Sequence, residues 1–579
     1  MKKLMNQAEH LVMEMCHGIV LAHPELQLNE KYKIISRRTT KKNKVSLISG
    51  GGSGHEPAHA GFVGTGMLDA AVCGDVFASP SQIQVYQAIK QVATEQGVLM
   101  IIKNYSGDIM NFKNGAALAL EDGILVDYVK VDDDIAVEDS LYTVGRRGVA
   151  GTVFVHKIAG AAAELGFDLA TVKKIAEKAA AQVRSIGFAF TSCTVPAKGT
   201  PTFTLGEDEM EYGVGIHGEP GIRREKMMSS NELAERMVND LLNDLTEVHE
   251  VAVLVNGFGA TPLQELYAFN NDVIRALDAR GVNVHRTFVG NFMTSIDMAG
   301  ASLSILKLDD ELKQYLNTPA ATPAFKVDGE AAPIQMLESK QTTINAVPTF
   351  KVETNEKFAK IIDEQFTLAN MHYYIDKMSE VIIENEIPFC ELDAHAGDGD
   401  FGMSVAKGFK QLKREWAELT NATSMSAFLS NCSMIIMEHC GGASGPIWGS
   451  AFRAAGKAVE GKDSLTVRNF AAMLQAAVKG IQTTGERSFG RGAVVGDKTL
   501  IDAFVPCTDA WLEAANQGAT FAESFTRGAA AAVQGAEATK QIVARMGRAG
   551  TVGERSLGYP DAGAYGLGVI FTKLAEDIR

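Results

Sequence analysis

The sequence predicts an α/β domain followed by a mostly or wholly α-helical one. Three observations predict it. Up to about residue 315, short β-branched runs alternate with helical stretches. From Asn317 to Glu356 the texture turns rich in proline and threonine and loses periodicity. Beyond that, strand signals nearly vanish. Alternation argues for helices layered on a sheet, and the aperiodic stretch reads as a linker. The expected boundaries are therefore 1–316 for the α/β domain, with two subdomains meeting near residue 190, then 317–356 for the linker and 357–579 for the helical domain.

In chain order, the expected strands are "KVSLIS", "GVLMIIKNY", "ILVDYVKV", "EVAVLVNG", "VNVHRTFVG" and "SLSILKL". The expected helices between them are "SPSQIQVYQAIKQVATEQG", "DLATVKKIAEKAAAQVRSIG", "NELAERMVNDLLNDL" and "PLQELYAFNNDVIRALDARG". After the linker, stretches such as "FAKIIDEQFTLANMHYYIDKMSEVIIENE", "TVRNFAAMLQAAVKGIQTTG" and "TFAESFTRGAAAAVQGAEATKQIVARMG" carry apolar residues at helical spacing.

Composition narrows the function. A chain of 579 residues is too long for one core. A net charge of −15 opposes nucleic-acid binding, which needs a basic face, but not a nucleotide substrate whose charge a metal offsets. Seven widely spaced cysteines without C-x-x-C read as reduced thiols of a cytoplasmic protein. Glu9, His10 and Glu14 interrupt any apolar leader near the start, which reads as an amphipathic helix. No run approaches the roughly 18 apolar residues that span a membrane.

Two loops carry chemistry. "SGGGSGHEPAH" contains the spelling H-E-x-x-H at His55–His59, the zinc pattern of metalloproteases. That pattern needs both histidines on one helix face, and Pro57 with the glycines before it opposes a helix. A strand running into a glycine-rich loop that lets backbone amides approach a small polar ligand or anion is the better reading; an ordinary strand-to-helix turn is the alternative. In the helical domain, "LDAHAGDGDFG" gathers Asp393, Asp398 and Asp400 on a turn. Convergent carboxylates repel unless a cation sits between them, and a short set of them suits Mg²⁺, which keeps waters and takes phosphates as further ligands. No frame fits an EF-hand, and a solvated acidic turn is the alternative. "CGGASG" before a helix, "GDKTLID" with Lys498 and Thr499, and "GYPDAGAYG" with Asp561 add phosphate-binding signals, each weak alone.

Together these motifs, with "AAVCGDVFASPS", "IIKNYSGD", "GTVFVHKIAG" and "GIHGEPG", closely resemble the single-chain ATP-dependent dihydroxyacetone (glycerone) kinases over nearly the whole chain. The resemblance implies two α/β subdomains that bind the ketone and an eight-helix barrel that binds Mg-ATP. By match, Gly52, Ser53, Gly54 and His55 would hydrogen-bond the substrate, and Lys103 and Asp108 would contact its hydroxyls. His217 would hold the carbonyl carbon as a covalent hemiaminal, with His55 polarising the carbonyl oxygen and Asp108 the general base. Asp393, Asp398 and Asp400 would ligate two Mg²⁺ ions, and Phe401, Gly402, Met403, Ser404, Ala443, Ser444, Lys498, Thr499, Asp561, Ala562 and Gly563 would line ATP. Phe401 departs from the small or polar residue many relatives carry there. The resemblance also implies cytoplasmic glycerol metabolism and a homodimer with exchanged helical domains.

Four rivals share these residues. A kinase for a four-carbon ketose such as erythrulose would form the same hemiaminal. A phosphotransferase-linked form would keep its two domains on separate chains, against the fusion seen here. A ketone-sensing regulator would need neither Asp108 nor the metal aspartates. An FAD-splitting lyase would show itself in a manganese-dependent assay with FAD.

Overall fold

The computed structural model describes residues 2–138, 145–336, 350–546, 550 and 553–578. The chain forms two compact units, Met1–Ser339 and Lys340–Arg579. Among the described residues no helix is long and apolar enough to cross a membrane.

Two six-stranded sheets build the first unit. The first comprises β1 (Leu26–Asn29), β2 (Ile34–Arg37), β3 (Ser46–Ser53), β4 (Ala70–Val76), β5 (Val98–Lys103) and β6 (Val126–Val131), in the order β1-β2-β4-β3-β5-β6. β4, β3, β5 and β6 run parallel. Buried on both faces, β3 and β5 read as continuous apolar or small-residue runs rather than alternating ones. The order turns at β3, which has β4 on one side and β5 on the other. The carboxyl ends of strands at such a reversal leave a crevice where ligands bind in open α/β sheets.

The second sheet comprises β7 (Val183–Ala189), β8 (Glu209–Tyr212), β9 (Arg223–Lys226), β10 (Glu250–Gly257), β11 (Asn283–Gly290) and β12 (Gly300–Lys307), in the order β11-β10-β12-β7-β8-β9. It is mixed: β10 pairs parallel with β11, while β12 pairs antiparallel with β10 and β7. One apolar core holds residues of both sheets together with the helix Thr152–Glu164, so the two subdomains share an interior.

Two expectations shift here. The run "DLATVKKIAEKAAAQVRSIG" is not one helix: its helical part ends at Gln182, and Val183 begins β7. Its last residues pair with β12, so tertiary pairing overrides the helical texture. The second sheet accordingly begins at Val183. The first residues of the expected linker are also structured. Ala320–Ala321 pairs with Lys326–Val327, and Phe325 is buried against Phe62, Phe288 and Phe292 of the first unit. At the linker's other end, Glu353 and Thr354 donate backbone N–H groups to Asp376 of the second unit at 2.9 and 2.8 Å. Residues 337–349 lie outside the described ones.

Among its described residues, the second unit's regular structure is helical apart from one short strand pair, Phe366–Thr367 with Ser464–Leu465. Helices Leu368–Glu384, Phe401–Arg414, Met425–His439, Ser444–Ala458, Val467–Phe489, Ile501–Asn516, Phe521–Ala538 and Ala562–Asp577 each pack on the next, and the last packs on the first. Thr367, Thr466 and Thr520 start three of them with capping boxes that satisfy the first free N–H groups. They enclose an apolar cavity of about 120 Å³, between side chains such as Met371, Trp448 and Phe525.

Candidate active site

In the first unit, the loop after β3, the end of β5 and the segment after β8 bring the expected ketone residues together. Neither histidine of the H-E-x-x-H spelling lies on an α-helix. They face different partners: His55 Nε2 lies 3.3 Å from His217 Nε2, and His59 Nδ1 lies 2.9 Å from His156 Nε2.

The His55 ring is fully buried, and its Nδ1 lies 2.8 Å from the carbonyl of Thr294. A carbonyl only accepts, so Nδ1 carries the proton and Nε2 presents a lone pair. Burial, then the Lys103 charge, pulls the His55 pKa down to about 3, and burial likewise lowers His217. With both rings neutral, the 3.3 Å contact is a hydrogen bond only if His217 Nε2 is the donor. The His217 segment is braced by Glu219, whose carboxylate accepts the His217 backbone N–H at 2.8 Å and pairs with Arg147 at 3.1 Å. Arg147 is in turn held by the buried Asp134 at 2.7 Å.

Lys103 ends β5, and Asp108 lies in the first turn of the helix Ser106–Glu121. Their Nζ and Oδ2 atoms are 4.0 Å apart. Lys103 Nζ and Asp108 Oδ1 are buried without a hydrogen-bond partner, as groups aimed at a ligand are. Burial lowers the lysine pKa and raises that of the aspartate. Gly51 lies close under the pair: a Cβ there would come within 3.1 Å of Lys103 Nζ and 3.6 Å of Asp108 Oδ2. Gly52, Gly54 and Ser53 frame the same loop, but the Ser53 hydroxyl donates to the Gly74 carbonyl at 2.7 Å. With its hydrogen so committed, the hydroxyl can only accept from a ligand. Phe77, Tyr105 and Thr294 also touch the histidine pair.

In the second unit, carboxylate oxygens of Asp393, Asp398 and Asp400 lie within 4.8 Å of one another. Asp393 ends the helix Glu386–Asp393 and accepts the Gly399 N–H at 3.0 Å. Burial, followed by its acidic neighbours, raises its pKa. The donor set is all hard oxygen on a turn, which fits Mg²⁺.

An adjoining cavity of about 190 Å³ is lined by these aspartates with Phe401, Ser404, Ala443, Ser444, Lys498, Thr499, Asp561, Ala562 and Gly563. The N-termini of the helices Ser444–Ala458 and Ala562–Asp577 open on it, the arrangement that suits phosphate. Asp561 caps the second of these through the Ala564 N–H at 2.8 Å, and burial pushes its pKa up to about 7. Gly402 and Met403 do not line the cavity. Gly402 packs on Glu386 and Cys390, and the Met403 side chain is exposed. The Lys498 amine is also not held out for a phosphate: it donates to the carbonyls of Ile542 at 3.2 Å and Tyr559 at 2.8 Å, and to that of Ser556. Gly441, Gly442 and Met546 line the cavity as well.

Residues 17–324 match the Dak1 domain and residues 395–576 the DAK2 domain. The chain belongs to the dihydroxyacetone kinase family. Within that family, the D-erythrulose kinase of Mycolicibacterium smegmatis is 34% identical over 581 residues, covering 100% of this chain and 98% of its own. The dihydroxyacetone-binding subunit DhaK of a PTS-dependent dihydroxyacetone kinase from Listeria innocua is 54% identical over 314 residues, 54% of this chain and 95% of that subunit. The crystal structure of the dihydroxyacetone kinase from C. freundii in complex with AMP-PNP and Mg²⁺ aligns with a TM-score of 0.60 at 31% identity, covering 99% of each chain. In this family member His55 and His217 lie in the Dak1 part and Asp398 and Asp400 in the DAK2 part, with Asp393 two residues before the DAK2 match.

Proposed function

We propose that the chain transfers phosphate from ATP to dihydroxyacetone, held as a covalent hemiaminal on His217. The contact between the Nε2 atoms of His55 and His217 carries this reading. As His217 Nε2 bonds to the carbonyl carbon, the C=O π bond breaks. The His217 proton passes to His55 Nε2 and on to the new alkoxide, leaving His55 neutral again. Only a carbonyl compound can be held this way, so glycerol is rejected. The anchor also fixes the terminal hydroxyl between Lys103 and Asp108, and such positioning supplies much of phosphoryl-transfer catalysis. Asp108, with its pKa raised by burial, takes the hydroxyl proton. Asp393, Asp398 and Asp400 would hold Mg²⁺, which neutralises charge on the nucleotide phosphates.

The finer features that the family suggests belong to the same proposal. They are an eight-helix barrel in the second unit, two Mg²⁺ ions, a homodimer and cytoplasmic glycerol metabolism. A four-carbon ketose is the second reading, favoured by the full-length likeness to a D-erythrulose kinase. Coupled ADP release with dihydroxyacetone, glyceraldehyde and both erythrulose enantiomers tests the choice. Highest kcat/KM with dihydroxyacetone is expected. Highest kcat/KM with an erythrulose would replace the first reading by the second, and no ADP release with any ketose would overturn both.

A further inference from the structure

We propose that Phe77 determines specificity in the ketone site: its ring is the wall that limits the carbon chain held at His217. The inference rests on reading His217 as the ketose anchor.

Phe77 directly follows β4, and its N–H donates to the Ser53 carbonyl of the β3 loop at 2.9 Å. Its backbone is left-handed, with φ 57°. A bulky residue adopts that region only at a cost and where its surroundings hold it there, most often at functional sites. Glycine would take the same turn without strain, so the turn itself does not call for an aromatic ring.

The ring's position supplies the reason. It stacks on His55 with centroids 5.1 Å apart and planes at 21°, and it meets His217 edge-on at 5.3 Å and 79°. The glycine loop is shaped around it. A Cβ on Gly52 would lie 2.8 Å from the Phe77 backbone, and one on Gly54 would lie 2.9 Å from the ring. Gly54 thus makes room for the ring itself, and Gly52 for the left-handed turn that carries it.

That wall keeps water from the imidazoles, in keeping with the lowered pKa of each. It also flanks the ring whose nitrogen receives the ketose carbon, so substituents on that carbon must clear the phenyl group. Dihydroxyacetone places a hydroxymethyl group on each side, and erythrulose adds one hydroxylated carbon to one of them. A difference of one carbon at an apolar wall changes discrimination by about 10–200-fold.

The test compares kcat/KM for dihydroxyacetone and L-erythrulose, together with the mass of the covalent adduct in native mass spectra of the intact protein, in wild type, Phe77→Leu and Phe77→Gly. The glycine variant relieves the left-handed backbone, so it supplies a folded reading if leucine disturbs the loop; melting curves verify folding. The ratio of the two constants should move toward erythrulose by about tenfold. A move of more than about threefold supports the inference, and a smaller one, or one toward dihydroxyacetone, overturns it. An adduct in wild type with an unmoved ratio sinks the Phe77 inference alone. No adduct with either ketose in wild type sinks the His217 reading, and the inference with it.

Discussion

The Nε2 atoms of His55 and His217 face each other at 3.3 Å, while the other nitrogen of His55 is committed to the Thr294 carbonyl. In the proposed mechanism this arrangement would make His55 the proton acceptor as His217 attacks. Substituting His55 by Ala should slow adduct formation by about 10²–10⁴-fold, the usual worth of a placed base, without moving the site of attachment. Rapid-quench mass spectrometry reads the rate, and an unchanged rate would remove His55 from the step.

Asp108→Asn separates binding from transfer. The amide keeps the shape of the buried carboxylate beside Lys103 and loses its basicity. Adduct formation should persist while turnover falls by about 10²–10⁴-fold. Near-normal turnover would give the proton to another group.

The buried histidines tie stability to pH. His55 and His156 are held at about 3, and His59 and His217 lie below the ordinary value, burial being the largest cause in each. An unfolded histidine protonates near pH 6.5, where these remain neutral. As pH falls through 6.5 the unfolded state therefore gains protons that the folded state does not, and stability declines. Thermal melting should show a falling Tm from pH 7.5 to 5.5 and a shallower fall in His156→Gln. Equal slopes in the two proteins would contradict this account.

Lys498 should act on the fold before it acts on the nucleotide. Its amine satisfies three carbonyls in the 542–559 stretch. Lys498→Met leaves the buried Ser556 carbonyl without this donor, and the helical unit should lose about 1–3 kcal/mol of stability even without ATP. Differential scanning calorimetry of the nucleotide-free protein reads the loss. An unchanged transition with weakened ATP binding would make the lysine a phosphate ligand instead.

Much of this was legible in the sequence, and the exceptions have physical causes. β3 and β5 were readable because buried parallel strands are continuous apolar or small-residue runs. β4, "AAVCGDV", was not: alanine and glycine have weak strand preference, and its place beside β3 comes from sheet pairing. β7 was hidden behind a helical run, and the Ala320–Val327 pair behind proline-rich texture that Phe325 anchors to a core far back in the chain. The aspartate turn announced itself by residue type and spacing. The fate of the Lys498 amine did not, because its carbonyl partners lie far along the chain and no local pattern encodes them. Phe77 carried no signal either, since a left-handed phenylalanine looks like any other in a string of letters.

Metal ligation should be separable from ketone chemistry. Asp398→Ala removes one of three clustered carboxylates in the second unit, whereas the ketone residues all lie in the first. Calorimetric titration should show Mg-ATP binding lost and dihydroxyacetone binding kept. Loss of both would argue for a single fused site.

The central claim is the covalent anchor. Native mass spectrometry of the intact protein incubated with dihydroxyacetone tests it most directly. The account predicts the added mass of one ketose in wild type and none in His217→Ala. An adduct that persists in His217→Ala, or a fully active wild type that never carries one, would contradict it.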